Sequence, residues 1–168
     1  MRQPTPLSIC FLVVFACGFI TGCVETPVGP QLGSGTLLEA SIDGATTRFD
    51  IESSETKYND LLLFGTVTGS TLSLPVVTIR ITFSGVDLDN DKFPRTLTGS
   101  ELELTVAKEN AKGDVVAYSS RNSGGSGTLV ISATDGQVVD GTFSGSLFND
   151  SDSIQVTAGR FSARLQGS

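Results

Sequence analysis

"VTIRITFS", residues 77–84, decides the fold. Val77, Ile79, Ile81 and Phe83 point one way; Thr78, Arg80, Thr82 and Ser84 point the other. A period of two residues belongs to an extended strand with one buried and one wet face, and a helix cannot keep it. The same alternation continues on both sides. "TLLEASI" (36–42) sets Leu38, Ala40 and Ile42 against Glu39 and Ser41, and "ELELTVA" (101–107) sets Leu102, Leu104 and Val106 against Glu101, Glu103 and Thr105. Strands are predicted at 36–42, 46–52, 61–67, 72–83, 101–107, 115–119, 127–133, 138–147 and 154–165. One-sided alternation is the antiparallel habit. The expected fold is all-β, a single antiparallel β-sandwich or closed β-barrel of about nine strands. No window supports a long helix; the polar stretch "SETKYND" (54–60) is the best place for a helical turn.

The punctuation fits hairpins. Asp43-Gly44 and Asp135-Gly136 are predicted as two-residue turns of the primed kind, and Gly69-Ser70 as the related turn with glycine first. Pro75 cannot donate to a ladder, so its strand is an edge or is broken there. "GTFSGSL" (141–147) and "GRFSARL" (159–165) share Gly-x-Phe-Ser-x-x-Leu, which common strand composition explains more simply than a repeat. In the last stretch Ile154, Val156 and Ala158 share one parity, and Phe161, Ala163 and Leu165 the other. A slip of one residue reverses every side chain. A β-bulge or a tight break is therefore predicted at Gly159-Arg160, with Phe161 and Leu165 buried and Arg160 and Arg164 exposed.

The N-terminus reads differently. After Arg2, "LSICFLVVFACGFI" (7–20) is apolar but shorter than the roughly 20 residues that a membrane span needs. A positive start, a short apolar run and small residues make a secretory signal. Ile20-Thr21-Gly22-Cys23 then resembles the lipobox of bacterial lipoproteins. That resemblance implies cleavage before Cys23 and a diacylglycerol on its sulfur; the alternative is an ordinary secretory cut after Ala16-Cys17-Gly18. The expected organisation is a signal peptide over 1–22, a lipidated cysteine and proline- and glycine-rich flexible tether over 23–35, and an all-β domain over 36–168. Cys10 and Cys17 would leave with the signal, so the mature chain holds no disulfide.

Composition removes several chemistries. The mature chain of 146 residues is the size of one domain. It keeps ten basic and eighteen acidic residues, a net charge of −8, with no basic run, which argues against nucleic acid as a partner. Without histidine there is no Ser-His-Asp or Cys-His catalysis and no His-ligated metal. Without thiols there is no zinc ribbon or iron–sulfur cluster. No cofactor is expected.

The acidic stretch "VDLDNDKF" (86–93) is the one candidate metal site. Asp87, Asp89 and Asp91 at alternate positions could turn onto calcium, a hard cation that takes oxygen ligands. Lys92 and Thr98 stand where an EF-hand loop needs glycine and glutamate, so a solvated acidic turn is the simpler reading. Asp150 and Asp152 in "NDSDS" (149–153) read as a polar hairpin turn, and "RNSGGSG" (121–127) as a flexible loop. Paired carboxylates could hydrolyse glycosides, but eighteen acidic residues make a close pair unavoidable. The mature domain has only Tyr58 and Tyr118 and no Trp as aromatic platforms.

The stretches "ASIDGATTRFD" (40–50) and "SGTLVISATDGQVVDGTFSGSLFND…IQVTAGRFSARL" near the end resemble small β-rich lipoproteins of Bacteroidetes-like Gram-negative bacteria. Asp43-Gly44, Gly141-Thr142-Phe143 and Gly159-Arg160-Phe161 carry the likeness, which implies location and fold class and assigns no residue beyond Cys23. Val24, rather than Asp, follows the cysteine, which by the sorting rules of such lipoproteins favours the outer membrane and leaves its face open. The expected role is a membrane-anchored, non-enzymatic binding or structural domain, held by the lipid on Cys23, with an envelope protein or glycan as partner. The alternatives are a lipocalin-like carrier of a small apolar ligand and, third, a carboxylate-based hydrolase.

Overall fold

The computed structural model describes residue 33, residues 35–164 apart from 60, 61, 74, 88, 111 and 136, and residues 166 and 167. The signal, Cys23 and most of the tether lie outside them. The described chain is all-β: β1 (Thr36–Ile42), β2 (Ala45–Arg48), β3 (Asp50–Asn59), β4 (Leu62–Ser70), β5 (Val77–Asp87), β6 (Arg95–Thr98), β7 (Leu102–Glu109), β8 (Val115–Ser119), β9 (Ser126–Thr134), β10 (Val138–Phe148), β11 (Ser153–Arg164) and β12 (Gln166–Gly167). One 3₁₀ turn, Gly99–Glu101, is the helical element among the described residues.

The hydrogen-bonded order is β12-β3-β4-β5-β7-β8-β10-β11-β1-β2, with β9 on β10 and β6 on β9. The ends of this order, β12 and β2, do not pair, and the sheet is not closed into a barrel. Pairing is antiparallel except where Gln166 and Gly167 run parallel to Glu55 and Thr56. Two halves are joined at narrow places: β8 meets β10 at Ser119–Phe148, and β12 meets β3. Both halves supply one core. Ile79, Ile81 and Phe83 of β5 and Leu102, Leu104 and Val106 of β7 join Leu38 and Ala40 of β1, Leu129 and Ile131 of β9, and Phe143, Phe161 and Ala163 of β10 and β11. The alternation read in "VTIRITFS" is the alternation observed, since Ile79, Ile81 and Phe83 are fully buried while Arg80 is exposed.

Several expectations are corrected. Among the described residues twelve strands replace the nine expected. β6 is too short to show a pattern, and its place is set by pairing Leu97 with Leu129. "SETKYND" is strand rather than helical turn through Asn59, paired with β4 along its length. The strand expected over 46–52 is broken at Phe49, whose N–H donates to the Leu38 carbonyl oxygen at 2.8 Å. Leu72, Ser73, Pro75 and Val76 lie outside the strands, and the break expected at Pro75 is there.

The turns divide. Asp43 (φ 50) and Gly44 (φ 84) form the primed two-residue turn between Ile42 and Ala45. Gly69-Ser70 is no turn: both lie inside β4. A Cβ on Gly69 would sit 2.6 Å from Leu38 Cδ2 and 2.9 Å from the Asp50 carbonyl oxygen, so glycine is there for close approach. Residues 135–137 separate β9 from β10, one more than a two-residue turn allows. Asp135 Oδ1 accepts the N–H groups of Gln137 and Val138 at 2.8 and 2.7 Å, an Asx-type turn. Gly136 itself lies outside the described residues.

Candidate binding groove

The parity change in the last long strand is the feature that shapes the molecule's outer face. Ile154 and Val156 are buried, Thr157 and Ala158 are exposed, and Gly159, Phe161 and Ala163 are buried again. The register with β10 steps from Phe143–Gly159 to Gly145–Val156, so two residues of β11 oppose Ser144 alone. The register with β1 steps at the same place, from Glu39–Arg160 to Ser41–Thr157. This is a β-bulge, one residue earlier than expected: Ala158, at φ 49, takes the left-handed conformation. Phe161 is buried and Arg160 and Arg164 are exposed as expected, and Leu165 lies outside the described residues.

Gly159 has a different task. A Cβ there would lie 2.5 Å from Phe143 Cδ2, and Phe143 is its cross-strand partner. Gly141 is the partner of Phe161, and its Cβ would lie 2.6 Å from Phe161 Cε1. The shared Gly-x-Phe of the two segments is thus a reciprocal exchange: each glycine lies beneath the other strand's ring. The rings pack at 6.3 Å between centroids with a 56° tilt. Gly65 and Phe83 repeat the arrangement between β4 and β5.

A bulge bends and twists its strand. Over this bend lies a groove of about 610 Å³. Ala158 and Gly159 line it together with Val130. Five hydroxyl side chains also line it: Ser41 of β1, Thr46 of β2, Thr128 of β9, and Thr142 and Ser144 of β10. Arg160 and Glu39 complete it as neighbours across β11 and β1. Arg160 Nε donates to Glu39 Oε1 at 2.9 Å, and Nη2 donates to the same oxygen. The groove therefore offers a paired donor and acceptor, neutral in sum, beside a hydroxyl wall and an apolar floor to which Ala40 and Phe143 also contribute. Sequence reasoning placed Arg160, Glu39 and Ser41 on wet faces. It could not bring them beside Thr128 and Thr142, because sheet order is not written in alternation.

The acidic loop is held by hydrogen bonds of its own and by Arg95. Asp87 Oδ1 accepts the N–H groups of Asp89 and Asn90, both at 3.0 Å, and its Oδ2 accepts Asn90 Nδ2 at 2.9 Å. Asp91 Oδ2 accepts the Asp87 N–H at 2.7 Å and is paired with Arg95, which also reaches Glu101 at 2.8 Å. Internal donors occupy Asp87 and Asp91, and Asp89 is exposed. Among the described residues no group of three or more acidic side chains is placed to hold a metal ion. The Asn90 side-chain hydrogen bond, then backbone N–H groups, hold the Asp87 carboxyl below the ordinary value. Asp152 lies by the Tyr118 hydroxyl at 3.4 Å; Asn149 Oδ1 accepts the N–H groups of Ser151 and Asp152, the polar turn expected there.

No protein-family model matches the chain, and neither does any curated protein or solved structure.

Proposed function

We propose that the protein is a lipid-anchored, non-enzymatic binding domain of a bacterial cell envelope, cut before Cys23 and held on the outer membrane by acyl chains on that cysteine. The single observation that carries this reading is Ile20-Thr21-Gly22-Cys23 after a short apolar run, joined through a proline- and glycine-rich tether to a domain that starts at Thr36. Two or three acyl chains make a lasting anchor, because each buried methylene contributes about 0.8 kcal/mol. We read the two joined halves as a sandwich, with their buried faces meeting in one filled core. The groove over Ala158 is lined by outward hydroxyls, which favours surface binding over carriage of an apolar molecule inside. The described titratable groups offer no pair poised for acid–base chemistry in that groove beyond Glu39, which Arg160 engages. Radiolabelled palmitate tests the anchor. Wild-type protein should incorporate label and partition into membranes, and Cys23→Ser should do neither; label persisting in the variant overturns the reading.

A further inference from the structure

We propose that the groove over Ala158 takes a neutral polysaccharide chain laid across the strands; this rests on the binding-domain reading above and names its ligand class. Three observations carry it.

The first is what the groove cannot offer. β9, β10, β11 and β1 each have a hydrogen-bonded neighbour on both sides at this level: Thr128 faces Thr98 and Ser144, Thr142 faces Val130 and Arg160, and Ser41 faces Thr157 and Thr46. An extended peptide binds a sheet by adding a strand to a free edge. Across β9, β10, β11 and β1 those backbone groups are already paired, and the free edge of β2 lies at the groove's end, so recognition along the groove passes through side chains.

The second is the chemistry of those side chains. Hydroxyls donate and accept at once, which matches a partner made of hydroxyls. Arg160 uses two N–H groups on one oxygen of Glu39. Its other N–H groups, with the second Glu39 oxygen, set strong donors beside a strong acceptor, the complement of neighbouring sugar hydroxyls. The two charges cancel, so neither an anionic nor a cationic ligand gains from the site. Ala158, Val130 and Ala40 leave an apolar floor for the C–H face of a sugar ring.

The third is the geometry. The lining spans five adjacent strands, β9-β10-β11-β1-β2. Strands lie about 4.8 Å apart, so the groove runs about 19 Å across the sheet, room for several sugar units rather than one.

Calorimetric titration of the detergent-purified lipoprotein tests this. The probes are neutral hexasaccharides of glucose and of N-acetylglucosamine, a hexauronate of the same length, and an extended hexapeptide. A neutral hexasaccharide should bind more tightly than its own disaccharide and than the hexauronate. Arg160→Ala should weaken it about tenfold. Thr142→Val, which keeps shape and strand preference while removing one hydroxyl, should weaken it several-fold, and melting curves should show both variants folded. Binding of the neutral probe that neither variant weakens overturns the proposal, as does preference for the hexauronate. Peptide binding that Arg160→Ala removes overturns the polysaccharide and leaves the binding domain standing. Silence with every probe overturns the polysaccharide and leaves the binding domain standing. None of these outcomes bears on palmitate at Cys23.

Discussion

Single residues show what each glycine is for. Gly44 is a turn glycine, at φ 84 with no atom near the position of a Cβ. Gly159 is a packing glycine: it is absent from the positive-φ residues, and the Phe143 ring and carbonyl oxygen fill the space a Cβ would need. Both read alike in sequence, since glycine serves a strained backbone and a close approach equally. Gly159→Val should therefore destabilise the fold through overpacking against Phe143, by about 1–3 kcal/mol, read as a lower denaturation midpoint with unchanged slope. A neutral substitution would mean that the ring moves aside freely and that the reciprocal Gly–Phe exchange does not hold the two strands.

At the level of the strand, one extra residue reorganises two neighbours. The bulge lets β11 bury Ile154 and Val156 and then Phe161 and Ala163, although these sets have opposite parity. It also breaks the registers with β1 and β10 together, and the groove lies over that break. The left-handed position falls on Ala158, where a Cβ costs roughly 1–2 kcal/mol. Ala158→Gly relieves that strain and adds back about 0.4–1 kcal/mol of unfolded-chain entropy. The balance is a gain of about 0.5–1 kcal/mol, visible as a raised midpoint in urea. A loss of stability would show that Ala158 is not strained and that the bulge is held by its side chain.

Across the whole molecule, carboxylates set the response to acid. Burial raises the Asp43 pKa, but the Lys108 hydrogen bond and charge and the Gln155 N–H outweigh it, and the net shift is downward. Asp135 is lowered by the N–H groups of Val138 and Gln137, and Asp87 by Asn90. A folded pKa below the unfolded one means that the unfolded chain binds more protons in acid, so stability rises with pH there. Each contribution is complete above the ordinary aspartate value of 3.8 and is lost as pH falls through the lower folded value. The melting temperature should stay level from about pH 8 to 5 and fall below about pH 4, and Asp135→Asn should soften that fall. A curve that stays level down to about pH 2 would remove these turn carboxylates from the account.

Periodicity alone was enough for fold class, for most strand positions and for the buried face of the strands that alternate. It is a local quantity, carried by neighbours two residues apart. The Asp43-Gly44 turn was legible for the same reason, and so was the need for a bulge, because Ile154 and Phe161 cannot both face inward without one. What stayed hidden depends on partners far along the chain. β6 exists because Leu97 meets Leu129, and Gly69 is a strand residue because Leu38 lies against it. The acidic loop turned inward on its own backbone and on Arg95. The bulge settled on Ala158 because Phe143 already claims the space at Gly159, and Arg160 joined Glu39 because β11 pairs with β1, some 120 residues earlier in the chain. Alternation says which side of a strand is wet; sheet order, set by long-range pairing and ring packing, says which wet side chains share a groove.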